Sequence, residues 1–129
     1  MLQTKRVHDT PDPADGVRVL VDRLWPRGLT IEAAALDEWL KDLAPSPALR
    51  TWFNHDAGRW DEFVRRYRRE LAAPAAAPHL DRLANLARKG TVALLYAARE
   101  ERHNSASVLR DVLEERLKPP PRSKTKAGR

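Results

Sequence analysis

The chain has 129 residues, a formal net charge of +6 at pH 7 and no cysteine. This length is typical of one domain, and the absence of thiols excludes disulfides and cysteine-based catalysis. No apolar run is long enough to cross a bilayer, and no apolar signal-type segment follows Met1. We therefore expect a cytoplasmic protein without a membrane partner.

The positive charge is concentrated at the end of the chain. Five of the 24 basic side chains follow Leu117, where no acidic residue occurs, and residues 1–117 carry a balance of only +1. Residues 118–129 have no large apolar side chain, so we expect a disordered basic tail after a single domain of residues 1–117. Such a tail could contact nucleic acid weakly or could serve only to keep the protein soluble.

The first part of the chain predicts two strands. Residues 4–8 are a weak strand candidate, and the turn-forming residues 10–16 predict a loop. The apolar residues of 17–24 predict a stronger, buried strand, which ends before Pro26 because proline cannot donate a ladder hydrogen bond. The direction of the first strand stays open, since the loop could close a hairpin.

Apolar residues at helical spacing predict five helices. The apolar face of the first consists of Leu36, Trp39, Leu40 and Leu43. Ser46, followed by proline, is a typical N-cap for the second, and Asp56 can cap the third. The fourth helix follows an alanine- and proline-rich hinge at 72–78 and ends at Gly90, and the last helix covers 105–117.

Residues 91–97 are apolar on both faces, which is typical of a central strand covered by helices on each side. Together with 17–24 they predict a parallel pair joined by a long crossover. The predicted fold class is α/β: a single-domain, three-layer α/β sandwich with a small, mainly parallel sheet covered by helices.

Charged and aromatic side chains lie where both buried strands end. Those at or just after the end of the strand at 17–24 are Asp22, Arg23, Trp25 and Arg27. Tyr96 ends the strand at 91–97, and His103 and Asn104 precede the last helix. Because ligands bind at the carboxyl ends of parallel strands, we expect these residues to converge. Guanidinium groups and helix N-termini bind anions, so the sequence predicts an anion-favouring pocket.

Asp22 and His103 are the candidate catalytic residues. His103 could act as a general acid or base with Asp22 or Asp56 orienting its ring, or it could merely adjoin a helix that Asn104 caps. Arg23 is a candidate anion ligand, together with Arg27. Asp22 could instead pair with an arginine and only fix the loop.

The remaining candidate substrate-binding residues have similar alternatives. Trp25 could offer a stacking surface to a base or could pack beneath the loop. His55 could belong to a helix cap or to a second wall of the pocket, and Tyr96 could donate into the pocket or only seal it. No histidine pair has metal-ligand spacing and no glycine-rich phosphate loop occurs, so we expect neither a metal nor a cofactor.

Several segments together resemble a known family. They are residues 19–28 (Val-Leu-Val-Asp-Arg-Leu-Trp-Pro-Arg-Gly), 36–40 (Leu-Asp-Glu-Trp-Leu), 44–46 (Ala-Pro-Ser), 49–53 (Leu-Arg-Thr-Trp-Phe), 55–56 (His-Asp), 60–63 (Trp-Asp-Glu-Phe), 94–97 (Leu-Leu-Tyr-Ala) and 103–104 (His-Asn). In this order, over residues 5–117, they resemble the YeaO-like branch of the family called domain of unknown function 488. The resemblance implies a small bacterial protein and supplies no activity.

Many members of the wider family resemble this chain at Asp22-Arg23 but carry cysteines elsewhere. Their first cysteine corresponds here to Tyr96, and their Cys-His-Arg group corresponds to residues 102–104 (Arg-His-Asn). Cysteine chemistry proposed for that wider family therefore does not transfer to this chain.

Two functional hypotheses follow. The first is a small enzyme or binding domain for a phosphorylated or nucleotide-like molecule, held by the predicted pocket. The second is a regulatory or nucleic-acid interaction module that uses the basic tail and Trp25.

Overall fold

Four parallel strands form one sheet at the centre of the computed structural model, which describes residues 1–118. The strands are β1 (Leu2–Arg6), β2 (Val17–Leu20), β3 (Glu38–Trp39) and β4 (Val92–Tyr96). Their order in the sheet is β1-β4-β2-β3, with Val19 paired to Leu94 and Thr4 also paired to Leu94 from the other side. The two predicted buried strands are therefore parallel neighbours, as expected.

Five helices accompany the sheet. They are α1 (Ile31–Ala34), α2 (Pro47–Phe53), α3 (Trp60–Leu71), α4 (Ala77–Lys89) and α5 (Ser105–Leu117). Ser46 caps α2, Asp56 caps the short 3-10 turn that leads into α3, and Gly90 follows α4. The link at 72–78 contains a 3-10 turn at Pro74–Ala76 and the first residues of α4. No helix within residues 1–118 combines the length and apolar character of a membrane span.

The two faces of the sheet are covered unequally. Alternate strand residues such as Val19, Val92 and Leu94 pack with α2, α3, α4 and α5 in the larger apolar core. Leu20, Ala93 and Leu95 point to the opposite face, where α1 and the segments around Trp25 and Trp39 cover them. The alternation follows from the two-residue period of a strand. Because both faces of the sheet are covered, β4 is buried along its whole length.

The helix predicted at 36–43 is wrong. Residues Glu38–Trp39 form β3 instead, and Lys41–Leu43 form a 3-10 turn. The backbone N–H groups of Asp37 and Leu40 donate to the carbonyl oxygens of Arg18 and Leu20 on β2, both at 2.8 Å. Backbone pairing with the sheet therefore replaces the helical hydrogen bonds.

The first strand runs from Leu2 to Arg6 rather than over residues 4–8, and it lies parallel to β4. Both β1 and β2 flank β4, so the loop between them does not close a hairpin. The strand predicted at 17–24 ends at Leu20 as β2, although the Val21 N–H still donates to the carbonyl oxygen of Leu95 at 3.0 Å. Residues 119–129, which hold almost the whole predicted tail, lie outside the described residues.

Candidate functional site

A cavity of about 350 Å³ opens at the carboxyl ends of β2 and β4. All eight residues singled out in the sequence line it: Asp22, Arg23, Trp25, Arg27, His55, Tyr96, His103 and Asn104. Seven of them meet there because parallel neighbouring strands deliver their following loops to one edge of the sheet. His55 instead comes from the segment between α2 and α3. Their proximity follows from the fold, and their roles in binding or catalysis stay predictions.

Asp22 is held firmly at the end of β2. Its carboxylate Oδ2 accepts a hydrogen bond from the backbone N–H of Ala97 at 2.8 Å, just beyond β4. Its backbone carbonyl oxygen accepts one from the indole Nε1 of Trp39 at 2.6 Å. Burial raises the pKa of the Asp22 carboxyl, against the opposing effects of the Ala97 N–H and the positive charge of Arg50. Asp22 therefore contributes a partly buried carboxylate to the lining of the cavity.

Arg23 fixes the loop that precedes α2. Its Nε donates to the carbonyl oxygen of Pro45 at 3.3 Å, and its Nη2 donates to that of Ala44 at 3.2 Å. Within residues 1–118, the hydrogen-bond partner of the Asp22 carboxylate is the Ala97 backbone and not an arginine side chain. The suggested Asp22–arginine pair is therefore replaced by two separate links to backbone groups.

Two further arginines present their charge to the cavity. Arg27 lies on the exposed loop after β2, and Arg50 lies on the exposed side of α2. Neither guanidinium group donates a hydrogen bond to another group within residues 1–118, so both can bind a ligand. Arg50 was missed in the sequence because nothing in its spacing shows that α2 crosses this edge of the sheet.

An aromatic wall closes another side of the cavity. Trp60 and Phe63 of α3 stack with a centroid distance of 5.3 Å, and Phe53 of α2 lies 4.5 Å from Phe63. The His103 ring stacks on Trp60 at 4.9 Å with an interplanar angle of 27°. We call Phe53, Trp60, Phe63 and His103 the aromatic wall. Its three hydrophobic members were not among the candidate site residues named from the sequence.

His103 does not form the hydrogen-bonded pair with a carboxylate that general acid–base catalysis would use. Its ring lies against Trp60, and within residues 1–118 it makes no hydrogen bond to Asp22 or Asp56. The Asp56 carboxylate instead accepts from the backbone N–H of Gly58 at 2.9 Å and caps the turn before α3. The geometry thus provides no carboxylate that orients the His103 ring.

Asn104 is the N-cap of α5. Its Oδ1 accepts from the backbone N–H of Ser107 at 2.9 Å, and its Nδ2 donates to the carbonyl oxygen of Glu100 at 2.9 Å. The Ser107 hydroxyl lies 3.4 Å from the Asn104 backbone N–H and completes a reciprocal capping arrangement. The side chain is buried and committed to the helix start.

His55 and Tyr96 both line the cavity but differ in exposure. His55 is exposed and adopts a left-handed backbone with φ 55°, and its ring centroid lies 6.4 Å from that of Phe53. Tyr96 is 4% exposed, and burial raises the pKa of its phenol. Its hydroxyl therefore stays protonated at neutral pH and can donate a hydrogen bond.

Trp25 separates the cavity from the face covered by α1. Its indole Nε1 donates to the carbonyl oxygen of Leu29 at 2.7 Å, and its ring meets that of Trp39 edge-to-face with a centroid distance of 5.4 Å. The Trp25 side chain thus packs beneath the loop, and the part of its surface that stays exposed lines the cavity.

No group of three or more histidine, aspartate or glutamate side chains in the described part of the chain is arranged to hold a metal ion. The donors and charges around the cavity come from arginine, histidine, one carboxylate and aromatic rings. Fold and cavity together define a small α/β protein with one parallel sheet and a basic, aromatic-lined cleft at its carboxyl edge.

The chain belongs to the domain-of-unknown-function 488 family. The family model described as "Inactive DUF488-N3 subclade" matches residues 1–127. The chain is 43% identical over 112 residues to "Uncharacterized protein YeaO" of Escherichia coli K12, and the match covers 87% of this chain and 96% of that protein. It is 40% identical over 112 residues to "Uncharacterized protein Rv3073c" of Mycobacterium tuberculosis H37Rv, covering 87% and 92% of the two chains. No solved structure matches the chain significantly.

Proposed function

We propose that the protein is a binding domain whose cavity holds a small phosphorylated, nucleotide-like molecule without converting it. The observation that carries this proposal is the charge of the lining: Arg23, Arg27 and Arg50 face a single carboxylate, Asp22. Within residues 1–118, the guanidinium groups of Arg27 and Arg50 donate no hydrogen bond, so they can form bidentate hydrogen bonds to a phosphate. Arg23 supports them by fixing the loop between β2 and α2.

The size and lining of the cavity favour a ligand that contains a ring. Its volume of about 350 Å³ lies near the lower end of the range for small-molecule sites, which suits one nucleotide better than a larger cofactor. The aromatic wall offers flat apolar surface beside the arginines. Stacking of a base on such a surface contributes favourably whatever the base.

Two observations support binding rather than catalysis. The matched family model is described as an inactive subclade. In addition, the His103 ring stacks on Trp60 and has no carboxylate partner among residues 1–118. In this proposal Asp22 and His103 contact the ligand and transfer no proton.

The proposal is tested with a panel of nucleoside monophosphates and sugar phosphates. Thermal shift identifies those that stabilise the protein, and calorimetric titration gives the Kd for each. We expect Arg50→Ala and Arg27→Ala each to raise Kd about tenfold or more, because a hydrogen bond to a charged group contributes roughly 1.5–3 kcal/mol.

Arg69→Ala is the matched control, since Arg69 is an exposed arginine on α3 that does not line the cavity. It should leave Kd unchanged. If Arg50→Ala and Arg27→Ala bind every compound as the wild type does, or if no phosphorylated compound binds at all, the proposal is wrong.

A further inference from the structure

Asp22 is the single acidic side chain among the described residues that line the cavity. An anion-binding site gains nothing from a carboxylate that repels the ligand. The position of Asp22 among the arginines therefore requires a separate explanation, and the hydrogen bonds around it supply one.

One oxygen of the Asp22 carboxylate is occupied and the other is available. Oδ2 accepts the Ala97 N–H at 2.8 Å, while Oδ1 has no protein partner within residues 1–118. No fully buried side-chain oxygen or nitrogen of the described residues lacks a partner, so Oδ1 is accessible. Asp22 lines the cavity, so this oxygen can accept a hydrogen bond from a molecule bound there.

The surrounding cations do not satisfy this oxygen. The Arg23 guanidinium donates to the carbonyl oxygens of Ala44 and Pro45. Within residues 1–118, the Asp22 carboxylate forms no ion pair with an arginine side chain. A ligand that presents a hydrogen-bond donor to Asp22 and its anionic group to Arg27 or Arg50 therefore satisfies the charges of both sides of the cavity.

The direction from which a ligand can donate to Asp22 is also restricted, because two hydrogen bonds hold this residue in place. Its carbonyl oxygen accepts from Trp39 on β3, and its carboxylate accepts from Ala97 after β4. A carboxylate held in this way cannot reorient, so it accepts hydrogen bonds only from donors at one position in the cavity.

We infer that the ligand is a guanine nucleotide, whose ring presents the adjacent N1–H and N2–H donors to Asp22 while the ring stacks beside the aromatic wall. This inference rests on the proposed function. Adenine places an acceptor, N1, beside its one amino donor, so an ionised carboxylate meets a lone pair there. Hypoxanthine keeps N1–H and lacks the amino group, which makes it an intermediate case.

The test is calorimetric titration of the full chain with guanosine, inosine and adenosine 5′-monophosphates. We expect the wild type to bind the guanosine compound about tenfold or more tightly than the adenosine compound, with inosine between them, since an unmatched polar group is costly on binding. Asp22→Asn should reduce or reverse the difference. With its oxygen accepting the Ala97 N–H, the amide presents N–H donors to the ligand, which suit the acceptor N1 of adenine and not the N1–H of guanine.

Asp22→Asn keeps an oxygen that can accept the Ala97 N–H, and its melting temperature shows whether the fold is intact. Equal affinity of the wild type for the three nucleotides, or an unchanged preference in a folded Asp22→Asn, overturns the inference. If Arg50→Ala nevertheless weakens the binding of all three nucleotides equally, the proposed function stands and only the preference for guanine is wrong. Failure of nucleotides and sugar phosphates alike to bind overturns both.

Discussion

At the scale of single residues, Asp22 combines a structural link with an energetic penalty. Its carboxylate joins the ends of β2 and β4 through the Ala97 N–H, yet burial still raises its pKa. A raised pKa means that ionisation of this carboxyl costs more free energy in the folded chain than in the unfolded chain. A partly buried carboxylate that lowers stability in this way is typical of residues kept for binding.

Asp22 makes stability depend on pH in a defined direction. Because its folded pKa lies above the ordinary value of 3.8, the folded chain binds the proton more readily, and the free energy of unfolding falls as pH rises from that value through the raised pKa. Asp22→Asn removes this dependence. We expect the variant to melt at a higher temperature than the wild type near pH 7, and the difference to shrink near pH 3.

Thermal melts of both proteins at several pH values measure this difference. Wild-type protein that is the more stable of the two near pH 7, with the difference disappearing near pH 3, would show that the carboxylate stabilises the fold instead.

At the scale of elements, helix caps predicted secondary structure correctly, whereas the spacing of apolar residues did not always do so. Ser46 and Asn104 are N-caps that directly precede their helices in the sequence. Because this signal is local, α2 and α5 begin where the sequence predicts. The apolar residues of 36–43 misled because their spacing suits one helix face. In the fold Leu36 and Trp39 pack on one face of the sheet, and Leu40 and Leu43 pack on the other. Only the pairing with β2 reveals this division.

The capping role of Asn104 predicts a specific stability change. Asn104→Ala removes the acceptor for the Ser107 N–H at a buried helix start and should lower the free energy of unfolding by about 1 kcal/mol. Asn104→Asp keeps the acceptor and should recover much of this loss. Urea denaturation measures both, and equal destabilisation by the two substitutions would contradict a capping role.

At the scale of the whole molecule, the topology explains which part of the site the sequence could predict. Residues following β2 and β4 were expected to meet once these strands were taken as parallel neighbours, and they line one cavity. Arg50, Phe53 and Trp60 were missed as site residues. Their place depends on how α2 and α3 pack across the sheet edge, which no local spacing encodes.

The basic end of the chain yields a prediction for the alternative function. If the five positive charges after Leu117 carry nucleic-acid binding, deletion of residues 118–129 should weaken binding to a random-sequence duplex. The slope of log K against log salt should also fall by up to about 4–5, because each neutralised phosphate contributes roughly 0.9. Fluorescence anisotropy across a salt series measures both quantities. Unchanged affinity and slope would exclude a tail-driven module.

The proposed function requires that the cavity at the carboxyl ends of β2 and β4 binds a small phosphorylated molecule. The most direct measurement is a set of ¹H–¹⁵N NMR titrations with guanosine 5′-monophosphate, adenosine 5′-monophosphate and ribose 5-phosphate. We predict saturable shift changes for at least one compound, concentrated in the amides of residues 22–27, 50–55 and 96–105. Shifts absent for all three compounds, or confined to residues away from the cavity such as those of α4, would contradict the claim.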